Sequence, residues 1–312
     1  LHAGLQRPAL PDRGAGARVS SRRPAVAASS DEAAAPDVIV TLTGGLGNQL
    51  FQYAAGLALS RRLGVGLTLD VGAYRRDPLR RFSLEPILRP EVTVADHPRW
   101  RVRLRRRVGR REPPPFRPDN AGWDPAFAEI AAPVRLHGTC ASPRYFAEVG
   151  ETVRREFTGF PLESEAARAL RSRLAAGEMC AVHVRRGDYL KNAKRLRKLG
   201  LKDRDYYARA IDEVRARAGQ DLTVVVFSDE PNAARTVLDG LVRRVVVAEG
   251  TRDTEDLVLM AACDHHVIAN STFSWWGAWL ARSPNQLVVA PARWFAQHPE
   301  PRDLIPGDWM RR

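Results

Sequence analysis

The chain has 312 residues, enough for two domains at ~150 residues each, and 44% of them are hydrophobic, a globular proportion. No run comes near the ~18 consecutive apolar residues of a membrane span. The net charge of +13 is local: residues 1–36 hold five Arg against three acids and residues 75–111 hold thirteen Arg against four, leaving 31 basic and 29 acidic residues elsewhere. A uniformly basic protein that coats nucleic acid is therefore not what this charge describes. Cys140, Cys180 and Cys263 are widely spaced with no C-x-x-C, which argues against zinc, redox chemistry or a disulfide framework and for buried structural thiols.

Residues 1–36 are rich in Ala, Arg, Ser, Pro and Gly without hydrophobic periodicity, the pattern of a disordered tail, a stem or a targeting segment. The first residue is Leu1 rather than Met, so a start upstream of it is expected. Order is predicted from Asp37. Val38 to Thr43 is a β-branched run suited to a buried strand, Gly44-Gly45-Leu46-Gly47-Asn48 turns the chain, Gln49–Leu63 has helical spacing, and Leu67–Asp70 is a second strand. This is one βαβ unit. Between Tyr74 and Ala132 the Arg- and Pro-rich sequence predicts loops and short helices.

Regular alternation returns at Met179. Strands are predicted at Cys180–Val184, Leu222–Phe227, Arg244–Ala248, His266–Ala269 and Leu287–Ala290, with helices at Tyr206–Arg217, Asn232–Leu238, Thr254–Cys263 and Phe273–Arg282. Such connections make right-handed crossovers, so the C-terminal half is predicted to be a doubly wound parallel sheet. Ligands of such sheets bind beyond the carboxyl ends of the strands.

Those ends carry the candidate chemistry. His183-Val184-Arg185-Arg186-Gly187-Asp188-Tyr189 ends the first strand of this half. Guanidinium offers a fixed fork of donors and a permanent charge to a phosphate, and one aimed at a leaving diphosphate favours the transition state over the ground state. Alternation along a strand puts His183 and Arg185 on one face. Asp229 either accepts from a nucleobase or ribose, or caps the helix that opens at Pro231. Asn270-Ser271-Thr272-Phe273-Ser274 has more hydroxyl and amide groups than capping needs, at a helix start suited to an anion. Trp275, Trp276 and Trp279 are expected in the core.

The Gly44–Asn48 turn is wrongly spaced for G-x-G-x-x-G and no P-loop Lys follows, so dinucleotide and ATP sites are unsupported. Its glycines still allow close backbone approach, and Asn48 offers both a donor and an acceptor. Asp203-Arg204-Asp205 is a D-x-D, but it precedes a predicted helix, where acids favour the dipole, so no metal site is assigned.

The segments Gly44 to Ala54, His183 to Tyr189 and Asn270 to Trp279, in this order, closely resemble the α-1,2-fucosyltransferase family, glycosyltransferase family 11. Ala290 to Phe295 and Ile305 to Trp309 look like that family's ending. The resemblance covers Asp37 to Trp309. It implies a GT-B-like α/β fold of two Rossmann-like domains, an acceptor-side domain over 37–165 and a donor-binding domain over 166–312. It further implies GDP-β-L-fucose as donor, inversion, an α-1,2 link to a terminal galactose of a glycan, and no metal or other cofactor. By similarity, Arg185 holds the β-phosphate with Arg186 beside it, His183 and Asp229 face guanine, Ser271, Thr272 and Ser274 face phosphates or ribose, and Asn48 lies near phosphate and acceptor. Inversion calls for a base on the acceptor hydroxyl, for which Asp188 is the candidate unless it braces the arginines.

Two expectations stand apart from the resemblance. Arg99–Arg111 has eight Arg in thirteen residues and no acid, so it is either a solvated face or a patch for an anionic membrane surface or an acidic glycan. A eukaryotic member would sit in the Golgi lumen on a type II anchor and a bacterial one in the cytoplasm; the stalk-like start favours the former. The alternatives left open are another donor or acceptor on the same scaffold, or a nucleic-acid binder, for which the basic run lacks interleaved aromatics.

Overall fold

The β-branched Val38–Thr41 forms β1, and the glycine turn feeds α1 (Leu46–Leu63), which ends where Gly64 takes a left-handed conformation at φ 65° and returns its N–H to the Ser60 and Arg61 carbonyls. The chain re-enters as β2 (Leu67–Asp70), parallel to β1 with Val38 opposite Leu67. The predicted βαβ unit is present. A computed structural model supplies these coordinates and describes residues 37–96, 113–118, 122–175, 177–187 and 193–312.

The 74–132 region does contain short 3₁₀ helices, such as Glu85–Ile87 and Pro125–Glu129. It also contains two strands that the loop expectation missed, β3 (Val92–Ala95) and β4 (Pro115–Phe116). With β5 (Val134–Leu136) they complete a sheet of order β3-β2-β1-β5-β4, parallel at every pairing. β4 has only two residues and β3 sits in Arg- and Pro-rich sequence without a helical partner pattern beside it, so tertiary pairing defines them.

After α2 (Gly150–Phe157) and α3 (Glu165–Leu174) the second sheet begins with β6 (Met179–Val184). It continues, past α4 (Ala193–Leu199) and α5 (Arg204–Ala218), with β7 (Thr223–Ser228), α6 (Pro231–Leu238), β8 (Val245–Val247), α7 (Asp253–Ala261), β9 (His265–Val267), α8 (Thr272–Leu280), β10 (Val288–Ala290) and β11 (Met310–Arg311). The order is β11-β10-β9-β6-β7-β8, again all parallel. Each predicted strand and helix of this half is present within a few residues. The fold is α/β with two parallel sheets, the second of them doubly wound as expected for the C-terminal half.

The sheets lie on either side of residue 165, but the apolar core does not stop there. One continuous cluster runs from Val38, Leu50 and Phe51 through Tyr145 and Phe157 to Leu257, Trp275, Trp276 and Trp309. Phe51 of α1 stands 4.6 Å from the Trp275 ring and 4.7 Å from the Trp276 ring, close enough for favourable tilted packing. Both indole N–H groups are satisfied, Trp275 by the Leu304 carbonyl at 2.7 Å and Trp276 by the Gly47 carbonyl at 3.0 Å. Trp275 and Trp276 are core as expected and dock α8 onto α1, whereas Trp279 is half-buried and packs against the edge of that core.

Candidate functional site

In the second sheet the strand order reverses between β6 and β9, and a crevice opens there because the two connections leave toward opposite faces. In the first sheet β5 comes back from the edge strand β4 to lie beside β1, and the ends of β1 and β5 border a second crevice. The His183–Gly187 and Asn270–Phe273 segments stand at the first crevice, and the Gly44–Asn48 turn and Gly138–Ala141 at the second. All of these contribute to the walls of one cleft of about 1150 Å³.

Arg185 Nε lies 3.3 Å from Asp229 Oδ2, and the Arg186 backbone N–H donates to Asp229 Oδ1 at 3.1 Å. Asp229 therefore braces the arginine strand end. It does not cap the next helix, whose N-cap is Glu230 followed by Pro231. Gly187 makes room for this brace, since a side-chain carbon there would stand 2.8 Å from Asp229 Oδ2. His183 and Arg185 both face the cleft, as strand alternation requires, whereas the Arg186 side chain is not part of its wall. His183 is buried, its ring is 5.6 Å from Phe273, and its Nδ1 has no partner among the described residues. Burial, then the Arg185 charge, pushes its pKa well down, so the ring is neutral and Nδ1 is a polar atom facing a ligand-sized space.

Ser271 caps α8, accepting from the Phe273 N–H at 3.3 Å, and also lines the cleft with Thr272. Ser274 is placed differently. It is fully buried and donates to the Ala269 and Ser271 carbonyls at 3.4 and 3.2 Å, away from the cleft wall. Asn270 ties loops together, its Nδ2 donating to Leu199 O at 2.6 Å and Trp294 O at 3.1 Å.

The first half supplies the opposite wall. Gly44 has φ 82°, and a side-chain carbon there would stand 2.6 Å from Asn48 Nδ2, so the turn requires glycine on both counts. Asn48 Oδ1 accepts from the Thr272 hydroxyl at 2.8 Å, which joins the two crevices directly. Gln49, buried behind it, donates to Arg81 O at 2.8 Å and accepts from Ser83 N–H at 3.0 Å, fastening the 81–83 segment to α1.

Sequence reasoning did not single out several ionisable wall residues, Arg80, Arg81, Lys198, Arg252, Asp253 and Asp256. Asp256, in the first turn of α7, lines the cleft beside Thr251, whose hydroxyl donates to it at 2.5 Å. Burial raises its pKa to about 7, against the lowering effect of the Thr251 bond. In the sequence it is one of three acids at a helix start, where the dipole explains them all. Asp203 caps α5 through the Tyr206 N–H at 2.8 Å, as the helix-start reading of the D-x-D expected. The candidate base Asp188 and the Arg99–Arg111 segment lie outside the described residues. No helix among the described residues is long and apolar enough to cross a membrane.

The model of glycosyl transferase family 11 matches residues 131–309. An alpha-1,2-colitosyltransferase from Escherichia coli is 30% identical over 288 residues, covering 88% of this chain and 98% of that protein. Galactoside alpha-(1,2)-fucosyltransferase 1 from Oryctolagus cuniculus is 31% identical, covering 80% of this chain and 65% of that protein. Among solved structures, NodZ alpha-1,6-fucosyltransferase co-crystallized with GDP superposes with a TM-score of 0.50 at 20% identity, over 79% of this chain and 92% of that one. At that identity the likeness concerns the fold alone, and it is the GT-B-like fold expected.

Proposed function

This chain belongs to glycosyl transferase family 11 and is a glycosyltransferase, and from that premise we propose that it moves L-fucose from GDP-β-L-fucose to the 2-hydroxyl of a terminal galactose. The observation that carries the reading is the Asn48–Thr272 contact, which joins a donor crevice and an acceptor crevice in one cleft. Arg185 binds the β-phosphate and stabilises charge as the bond from the fucose anomeric carbon to the phosphate oxygen breaks. Its orientation comes from Asp229. Ser271 and Thr272 present hydroxyls to the phosphates.

Because Asp229 is engaged with Arg185 and the Arg186 N–H, Asp256 is the better placed acceptor for the N1–H and exocyclic amine of guanine, with the neutral His183 ring beside it. Asn48 orients the acceptor or the transferring sugar. The galactose 2-oxygen attacks the anomeric carbon from the face opposite the phosphate, and its proton goes to a base. Asp188 is proposed for that task; an Asp188→Asn variant with unchanged kcat removes it. The reading invokes no metal, and assay in EDTA tests that part of it.

The colitosyltransferase likeness favours a second donor reading on the same site. Colitose is fucose without its 3-hydroxyl, so one cleft can take either sugar, and the ratio of kcat/KM for the two GDP-sugars decides between them. The first test is GDP release from GDP-fucose in EDTA with and without lactose. Acceptor-dependent release supports donor, acceptor class and metal independence together. Tight GDP-fucose binding with no release on any galactoside keeps the donor and discards the acceptor. No binding of GDP-fucose discards the donor reading.

A further inference from the structure

We propose that Arg80, carried by the first half of the chain, is a second cation on the donor diphosphate, across the cleft from Arg185. This rests on the nucleotide-sugar reading above.

The need for such a group is electrostatic. A sugar diphosphate is negatively charged on both phosphates and gains more negative charge as the sugar leaves. Arg185 does not meet that alone, because Asp229 lies 3.3 Å from its Nε and shares its charge. In a low-dielectric cleft an arginine balanced by a carboxylate leaves most of the diphosphate charge uncompensated. Among the described residues four other cations line the cleft, namely Arg80, Arg81, Lys198 and Arg252. Arg252 is exposed. Lys198 is exposed and lies 5.2 Å from the Phe295 ring. Arg81 is exposed as well, whereas Arg80 is half-buried.

Position singles out Arg80. Its side chain lies over the α-carbon of Gly45: a side-chain carbon on that glycine would stand 3.7 Å from Nε and 3.8 Å from Cζ. Gly45 is the residue from which α1 starts, and Asn48, three residues further on, accepts from Thr272 at the start of α8. The guanidinium is thus carried beside the junction where the first half meets the phosphate-facing hydroxyls of the second. The placement is braced from behind. Gln49 is buried, and its amide ties the segment that follows Arg80 to α1 through Arg81 O and Ser83 N. A buried amide engaged at both ends holds a loop in one geometry, and here that loop presents an arginine to the cleft. A side-chain carbon at 45 would already be in contact with the guanidinium, and a branched side chain such as valine would crowd it.

The test compares GDP with GMP, which differ by the β-phosphate, on the full chain in EDTA by calorimetry. Wild type is expected to bind GDP more tightly than GMP. Arg80→Ala should lose roughly 10- to 100-fold in GDP affinity, as expected for a charged hydrogen bond in a partly buried site, with GMP affinity unchanged, and Arg80→Lys should retain part of it. Gly45→Val keeps the arginine but fills its space, so it should reproduce the Arg80→Ala loss and cover the case in which Arg80→Ala fails to fold. An unchanged GDP-to-GMP ratio in both variants, or equal losses on both nucleotides, overturns the role. A wild-type protein that binds neither nucleotide overturns the nucleotide-sugar reading, and this one with it.

Discussion

The Thr272 hydroxyl donates to Asn48 Oδ1 at 2.8 Å although the two residues are 224 positions apart. One lies just inside α1 below the first sheet's crevice and the other opens α8 at the second's, so a single hydrogen bond spans the floor of the cleft. Closely behind it, a side-chain carbon on Gly47 would stand 2.4 Å from Phe273 N and 2.5 Å from the Thr272 carbonyl carbon. The two helix starts touch backbone to backbone.

That contact gives a steric prediction. Gly47→Ala must push α8 away from α1, because the atoms it meets are backbone and cannot rotate aside. The expected cost is about 1–3 kcal/mol or more of stability, with kcat/KM reduced at least tenfold as Asn48 and Thr272 separate. Gly45→Ala is the control, since its new carbon meets only the Arg80 side chain at 3.7 Å, and it should melt like wild type. Differential scanning calorimetry and initial rates on the two variants check this, and a Gly47→Ala protein with native stability and rate would show that the helix starts can separate freely.

The hydrogen bond itself predicts energetic coupling. Asn48→Ala and Thr272→Val each leave one partner behind, so their effects on kcat/KM should not add. A double-mutant cycle is expected to return a coupling of about 0.5–1.5 kcal/mol. A coupling near zero would mean that the two side chains serve the substrate independently.

The shared core predicts one unfolding transition rather than two. Trp276 joins Phe51 and the Gly47 carbonyl of the first half to α8 of the second. Urea unfolding followed by tryptophan fluorescence and by far-UV circular dichroism should therefore coincide. Trp276→Ala should lower stability by about 3–5 kcal/mol, and separation of the two curves in that variant alone would confirm that the indole links the halves.

What was legible in the sequence follows from these same elements. The β6 and β7 strands are six-residue, mostly apolar runs with turn residues after them, so both the strands and the residues at their ends could be located, and His183, Arg185, Ser271 and Thr272 do meet in one cleft. The β3 and β4 edges are four and two residues long inside Arg- and Pro-rich sequence, and pairing alone makes them strands. Ser274 was grouped with Ser271 by composition, but one helical turn carries its hydroxyl back to the Ser271 carbonyl. Asp256 was hidden for the opposite reason. Local rules fully account for an acid in the first turn of a helix, and only the packing of α7 against the cleft gives it a second role.

Thiol chemistry offers a simple check of the packing. Cys140, Cys180 and Cys263 are all buried, and burial raises Cys140 and Cys180 to about 12 and Cys263 well above the ordinary thiol value. Only the thiolate reacts. The native protein at pH 8 should resist a thiol-directed reagent at all three positions and titrate fully once denatured. Rapid labelling of Cys140, which borders the cleft, would mean that this wall opens in solution.

Asp256 makes the pH dependence specific. Its pKa of about 7 in the free protein lies above the ~3.9 of an unfolded chain. Between those two values the unfolded state releases a proton that the folded state keeps, so this group's contribution to stability is complete below about pH 4 and is lost as pH rises through about 7. Guanine donors favour the ionised carboxylate, so GDP binding should expel the proton, and GDP affinity should rise with pH through about 7 and level off above it. Asp256→Asn removes the charge that burial penalises, which should raise the melting temperature above pH 7 by a few degrees. It also sets an amide N–H against the guanine donors, so GDP affinity should fall at least tenfold and lose its step near pH 7. The phosphates of GDP titrate in the same range, and subtracting the residual pH dependence of the Asn variant removes their share. Calorimetry at pH 5.5, 7 and 8.5 on both proteins gives the comparison. A variant that is more stable yet binds GDP with wild-type affinity and the same pH step would move guanine recognition away from Asp256 and back to Asp229 and His183.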